Sequence, residues 1–242
     1  FLPYVVAAYE QKIISGNDKD RSFAPGRQVN KAEFLKMLFL ANKTDLTSAP
    51  LNTIEIKDVP KEAWFSSSIL YAFNLGIIEK DSAGLVYPAR PLTRGEALQI
   101  LYLFTFIKKG KDTQFLLDRT EDELTQIEVY IAANRVDLAK RSSKLAVDLS
   151  QQALKNMSDN NIVLGAAKLA RAYDSLVDSY ILGLERKKEE SAATANQAIQ
   201  KATEAWEANN ATQPIARHIK ERAREILAQV GGEEIKITID KY

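Results

Sequence analysis

Asn30-Lys31-Ala32-Glu33 and Thr93-Arg94-Gly95-Glu96 each place a capping side chain, a cation and a carboxylate at the same spacing. An Asn or Thr just ahead of a helix accepts a hydrogen bond from a free backbone N–H, and a Glu three residues on reaches back to the cap. Capping accounts for Asn30, Thr93 and the two glutamates, but not for Lys31 and Arg94. Both cations fall in the first helical turn, where the helix dipole disfavours positive charge by about 0.3–1 kcal/mol. A cation set against that gradient in both places suggests a bound anion. Free N–H groups, the positive end of a helix and a guanidinium together suit a carboxylate or a phosphate. Solvated surface charge is the alternative reading of both cations.

The segments that must position these tetrapeptides are themselves duplicated. Lys12-Ile13-Ile14-Ser15-Gly16, Phe23-Ala24-Pro25 and Val29 to Phe34 are echoed by Leu75-Gly76-Ile77-Ile78, Val86-Tyr87-Pro88 and Leu92 to Ala97. Repetition on this scale marks a supersecondary unit that stacks on copies of itself. In the second copy, Asp58-Val59-Pro60-Lys61-Glu62 is expected to open a helix carrying Trp64, Ile69, Ala72, Phe73 and Leu75. Gly76 ends it by supplying the left-handed residue. A loop then leads to a helix from Thr93, with Ala97, Ile100, Leu101 and Phe104 on one buried face. When Ile13 is laid on Ile77, the partner of Trp64 falls just before Phe1. The first copy is thus expected to lack its opening segment, and the sequence to be a piece of a longer protein.

Beyond about residue 118 the composition shifts to alanine, leucine, lysine and glutamate. Leu124, Ile127, Ile131, Leu138, Leu145 and Leu149 keep helical spacing, as do Ile162, Ala166, Leu169, Tyr173, Leu176, Tyr180 and Leu184. Asp159-Asn160-Asn161 and Asn209-Asn210 read as turns, and Thr212-Gln213-Pro214 as a helix start with a capping hydroxyl. A segment with Ala195, Ile199, Ala202 and Trp206 is expected to continue the second helix, and Ile215 to Leu227 form the last. The alternation from Glu234 to Asp240 reads as a strand leading into a further domain. The expected fold is therefore mainly α. Residues 1–110 hold two helix-loop-helix modules (about 1–45 and 56–107), 118–231 an antiparallel three- or four-helix bundle, and 232–242 a short strand.

Composition narrows the function classes. With 33 basic and 32 acidic residues, the chain has no excess of positive charge to serve a nucleic-acid surface. It has no cysteine, hence neither disulfides nor thiolate metal sites. No apolar run approaches the roughly 20 residues needed to span a bilayer. His218, the sole histidine, has no second imidazole for a metal site and reads as a surface or boundary residue. Asp18-Lys19-Asp20 lacks the glycine and closing glutamate of a calcium loop and reads as a turn. Lys187-Lys188-Glu189-Glu190 can satisfy itself by pairs one turn apart. Nucleophile-elbow, phosphate-loop and His-Glu-x-x-His motifs are absent. No metal or cofactor is expected.

With these motifs in order, residues 1–107 resemble S-layer homology modules, the wall-anchoring units of bacterial surface proteins. The matching elements are Asp58-Val59, Trp64, Gly76-Ile77-Ile78 and Leu92-Thr93-Arg94-Gly95-Glu96. The first copy matches at Ile13-Ile14-Ser15-Gly16, Phe23-Ala24-Pro25 and Val29-Asn30-Lys31-Ala32-Glu33. Glu79-Lys80 departs from the small-residue-plus-glycine ending, and no third copy follows Phe106. The resemblance implies a non-catalytic protein outside the cell, in the cell wall or S-layer. It also implies grooves that bind anionic secondary cell-wall polysaccharide, often pyruvylated, or modified peptidoglycan where an outer membrane is present.

By that resemblance Arg94 is the foremost ligand contact, since a guanidinium grips a carboxylate with two parallel hydrogen bonds where Lys31 offers a point charge. Thr93, Asn30, Trp64, Gly16 and Gly76 complete the implied glycan-binding set. Trp64 and Tyr87 suit sugar stacking, although large aromatics at such places are more often core. The bundle is expected to serve as a spacer or interaction arm. A third module, ahead of Phe1 or from another chain, and self-association are further implied partners. The alternatives are the wall-binding portion of a glycan hydrolase and an envelope adaptor whose bundle binds a protein.

Overall fold

The structure, a computed structural model, describes residues 2–17, 22–47 and 55–234. The Asp18-Lys19-Asp20 turn and the expected strand beyond Glu234 lie outside them. Within the described residues the chain is mainly α, as its periodicity indicates, and has no sheet. The helices are α1 (Leu2–Glu10), α2 (Lys31–Ala41), α3 (Ser66–Asn74), α4 (Arg94–Lys109), α5 (Thr113–Ala132), α6 (Val136–Asn156), α7 (Asn161–Leu184), α8 (Lys188–Ala208) and α9 (Gln213–Val230). Two compact units, Phe1–Thr105 and Phe106–Tyr242, divide the chain within α4.

The N-terminal unit builds one plan twice. Laying Ile13 on Ile77 puts α1 on α3, and the two helices end alike. After α1, Lys12 donates to the Tyr9 carbonyl (2.9 Å) and Ile13 to the Ala8 carbonyl (2.9 Å); after α3, Gly76 donates to Phe73 (3.0 Å) and Ile77 to Ala72 (2.9 Å). Gly76 takes the left-handed conformation at φ 67°, which costs glycine nothing, whereas Lys12 takes it at φ 58° with a β-carbon. Lys12→Gly is therefore expected to stabilise this unit by about 1 kcal/mol. Urea unfolding followed by Trp64 fluorescence in a Trp206→Phe background checks this.

The opening segment of copy two departs from expectation. Instead of a helix from Asp58, residues 57–65 form turns closed by Val59 N–H on the Ile56 carbonyl, Ala63 N–H on Pro60 and Ser66 N–H on Ala63 (3.0, 3.0 and 2.9 Å). The helix begins at Ser66. Pro60 biases Val59 away from helical backbone, and the Asp58 side chain is engaged elsewhere. Between the copies, the Phe39 ring meets Tyr71 edge-on at 5.1 Å and Phe104 at 5.6 Å, joining α2 to both helices of copy two. Leu35, Phe39, Ile69, Phe73 and Val86 are all buried there.

The C-terminal unit is an up-and-down bundle of five helices where three or four are expected. Consecutive helices pack side by side across short connections, as an antiparallel bundle requires. Two breaks account for the five helices: the stripe from Leu124 to Leu149 divides into α5 and α6 at Asn134, which takes φ 53°, and α7 and α8 are separate helices divided at Arg186, which takes φ 62°. Leu124, Ile127, Ile131, Leu169, Tyr173 and Leu176 enter the core, as their spacing indicates, while Ile162 and Leu184 at the ends of α7 stay exposed. Asn160 caps α7 through the N–H groups of Ile162 (2.9 Å) and Val163 (3.3 Å). Thr212 does not cap α9, because its hydroxyl donates to the Asn209 carbonyl (2.8 Å) in the 3-10 turn Asn210–Thr212.

Polar groups also join the bundle. Glu123 of α5 accepts from Arg119 (3.0 Å) and Arg141 of α6 (3.3 Å), with Glu123 and Arg141 both buried. The Ser179 hydroxyl of α7 donates to the Ser191 carbonyl of α8 (2.9 Å), and the Ser191 hydroxyl to the Ser179 carbonyl (2.8 Å). A β-carbon on Gly165 would come within 2.8 Å of the Asn209 Cβ, so a bare backbone lets α7 meet the end of α8. His218 is half-exposed and faces Glu128 across α9 and α5 at 3.0 Å.

Candidate functional site

Both tetrapeptides form the capping boxes their sequences encode. At α2 the Asn30 Oδ1 accepts from the Glu33 N–H (2.9 Å), and Glu33 accepts from the Asn30 N–H (3.1 Å). At α4 the Thr93 hydroxyl accepts from the Glu96 N–H (3.2 Å), while Glu96 accepts from the Thr93 N–H (2.9 Å). Each capping glutamate also holds an arginine six residues before it. Arg27 meets Glu33 at 2.9 Å, and Arg90 meets Glu96 through both guanidinium nitrogens. The motif is thus larger than the cap. The repeated Arg-to-Glu interval of six in both copies is the signal in the sequence that reveals Arg27 and Arg90.

Arg90 and the Thr93 donors hold the Glu96 carboxyl down to about 2. A carboxylate lowered by folding stabilises the fold at pH values above its unfolded range near 4.5, and that contribution fades as pH falls toward 2. A carbon-detected NMR titration of Glu96 is expected to find its midpoint near 2, and a higher one in Arg90→Ala that stays below the ordinary glutamate range because the Thr93 donors remain.

The two helix starts differ in what they face. The start of α2 is docked on the loop of copy two. The Lys31 N–H donates to the Arg90 carbonyl (3.2 Å), the Ala32 N–H to Pro88 (3.0 Å), and the Leu92 N–H returns to Val29 (2.9 Å). An antiparallel bridge pairs Asn30 with Pro91. The Lys31 ammonium donates to the Val86 carbonyl. Burial, then the neighbouring Arg90 charge, push the Lys31 amine below its usual range. The expectation of free N–H groups around Lys31 thus does not hold at α2, where carbonyls and the Asn30 cap engage the first three. Arg94 is exposed, and among the described residues its side chain makes neither an ion pair nor a hydrogen bond.

The loop that receives α2 is shaped by Asp58. Its carboxylate accepts from the N–H groups of Val86 (3.0 Å) and Tyr87 (2.7 Å), fixing Tyr87 at a left-handed φ of 54°. The Tyr87 hydroxyl donates to Asp81 (2.5 Å), which also accepts from the Leu85 N–H (2.9 Å). Trp64, whose size favours the core, is instead 57% exposed, with the Lys36 ammonium of α2 5.0 Å from its ring centroid. Gly76 lies buried at the end of α3, and Gly16 is an exposed left-handed residue at φ 76°. The structure therefore gathers Asn30, Lys31 and Thr93, with Arg90 and Glu96, at the junction of the copies. No group of acidic and histidine residues placed to hold a metal occurs among the described residues.

Two helix-loop-helix copies that share a helix cap and an Arg–Glu pair, with the second helix of the first docked on the loop of the second, define a tandem-module protein. The model for the S-layer homology domain matches residues 1–35 and 55–98, so the N-terminal unit carries S-layer homology domain sequence in two places. Such domains are cell-surface anchoring modules that bind wall polysaccharide, and they associate the chain with the bacterial cell surface. No curated protein and no solved structure matches the chain. No helix among the described residues is long and apolar enough to cross a membrane.

Proposed function

We propose that the N-terminal unit anchors a non-catalytic extracellular protein to an anionic cell-wall polysaccharide, with Arg94 as the main carboxylate contact. The observation that carries this reading is the contrast between the two motif cations. Lys31 spends its ammonium on the Val86 carbonyl, whereas the exposed Arg94 guanidinium engages no side chain or carbonyl among the described residues. A fork of parallel donors beside a capped helix start suits a planar carboxylate. Exposed Trp64, flanked by the Lys36 ammonium, offers a face for a sugar ring, and Thr93 and Asn30 hold the two helix starts at either side of the junction. In this reading the bundle is a spacer or interaction arm.

Co-sedimentation with wall sacculi, before and after chemical removal of the secondary polymer, tests the proposal. Arg94→Ala is expected to weaken binding at least tenfold, since a charge-assisted pair contributes about 1.5–3 kcal/mol. Arg94→Lys should fall between. Arg94 is exposed, so its loss should leave unfolding transitions in place. Equal sedimentation of wild type and Arg94→Ala, or equal binding to stripped sacculi, would overturn the proposal.

A further inference from the structure

The connections at the two ends of the bundle carry charge unequally. Between α4 and α5, Gly110 takes the left-handed conformation at φ 55° and lies against α6. The Asn156 side chain donates to its carbonyl, and a β-carbon there would come within 2.8 Å of the Gln152 Oε1. Lys109 and Lys111 flank Gly110 and Lys155 precedes Asn156, so this contact gathers Lys108, Lys109, Lys111 and Lys155 where α4 and α6 end. All four lie in the C-terminal unit and are exposed, and among the described residues none makes an ion pair or a hydrogen bond. Segments 106–112 and 152–157 set these four lysines against one acid, Asp112, whose carboxylate accepts from the Phe115 N–H (3.0 Å). At the opposite end of the bundle, by contrast, Lys187 faces Glu185 at 2.8 Å and Arg135 faces Asp137 at 3.9 Å. The helix dipole favours Lys108, Lys109 and Lys155 in the last turns of α4 and α6. It does not favour Lys111, which stands just ahead of α5, and it does not call for the two helix ends to meet.

We propose that Lys108, Lys109, Lys111 and Lys155 form a docking surface for a flexible chain of phosphate groups. Like charges gathered without acids to pair them repel one another, and a polyanion laid across them removes that repulsion. An ammonium is a point charge with three rotatable donors and suits phosphate oxygens from any direction, and the two segments contain no arginine fork to grip a planar carboxylate. Each ammonium is exposed, so one contact is weak and screened by salt. A chain that meets several at once holds by their sum. The surface shares no residue with the Arg94 site and is independent of the glycan reading.

Fluorescence anisotropy of end-labelled inorganic polyphosphate, titrated with the 242-residue chain, tests this. Binding is expected at about 50 mM salt and should weaken roughly 50-fold by about 200 mM, as counterion release at four contacts requires. Replacing all four lysines with glutamine should abolish it, and the pair Lys109→Gln and Lys111→Gln should halve the salt slope. Arg186→Gln, Lys187→Gln and Lys188→Gln together, at the far end of the bundle, should leave binding unchanged. Arg94→Ala should leave it unchanged as well, which separates this result from that of the sacculus experiment. Polygalacturonate, a carboxylate chain, should bind at least tenfold more weakly. The substituted lysines are exposed, and circular dichroism checks that each variant folds. The proposal is overturned by no binding at the lower salt, by binding that survives the fourfold change, or by an unchanged slope in the pair. A loss in either control variant, or equal affinity for polygalacturonate, overturns it too.

Discussion

Replacing Glu123 with alanine is expected to destabilise the helical bundle by about 3 kcal/mol, because it removes a buried carboxylate from beside the buried Arg141 and the partly buried Arg119. Glu123 is buried between α5 and α6, accepting from Arg119 on its own helix and Arg141 on the next. Removing it takes away the carboxylate that faces both guanidinium groups while leaving them in place, a more severe change than replacing the whole cluster with apolar residues. Glu123→Gln retains an acceptor without the charge and should lose less. A triple Met replacement of Arg119, Glu123 and Arg141 should recover much of the loss. Urea unfolding followed by Trp206 fluorescence in a Trp64→Phe background reads the C-terminal unit alone, because one of the two tryptophans lies in each unit. Equal transitions for wild type and Glu123→Ala would show that the pair adds nothing to the bundle.

The second large effect belongs to Asp58. Asp58→Ala is expected to destabilise the N-terminal unit by about 3 kcal/mol, because two charge-assisted hydrogen bonds at about 1.5–3 kcal/mol each are lost and partial rehydration returns some of that. Val86 is buried, so its N–H cannot turn to solvent without opening the loop. Asp58→Asn keeps an acceptor and should cost less. The same loop supplies the carbonyls that receive Lys31 and Ala32, so the loss should extend to α2. Amide exchange checks this: protection at Lys31 and Ala32 should fall in Asp58→Ala, while protection in α7 stays unchanged.

The parts of this architecture that are legible in the sequence are those whose partners lie within a turn or two. Both capping boxes close over three residues, and the bundle stripes repeat at helical spacing, so Asn30, Thr93, Ile127 and Leu176 can be placed from local pattern. Asp58 reads as a helix opener because its true partners are 28 and 29 residues away, in a loop whose position depends on the tertiary fold. The burial of Lys31 escapes for the same reason, since a cation in a first turn carries no mark of the carbonyl it will meet. The break between α7 and α8 is hidden by composition: Arg186 occupies the conformation that glycine usually announces. Size alone draws Trp64 toward the core, a preference that holds for residues of its kind and fails where the chain turns before α3 begins.

The crossed serine pair of α7 and α8 bears on how the hairpin carries mechanical load. Ser179 and Ser191 each give a hydroxyl to the other's carbonyl, so the two bonds resist sliding of one helix along the other together rather than in turn. At the far end, the close approach of Gly165 to Asn209 and Thr212 leaves no clearance for a β-carbon to pass. A register shift of one helical turn, about 5.4 Å, would have to break the clasp and clear this obstruction in the same movement. Under tension along the helix axes the hairpin should therefore hold to a threshold and yield abruptly, whereas a pair joined by apolar contacts alone would creep.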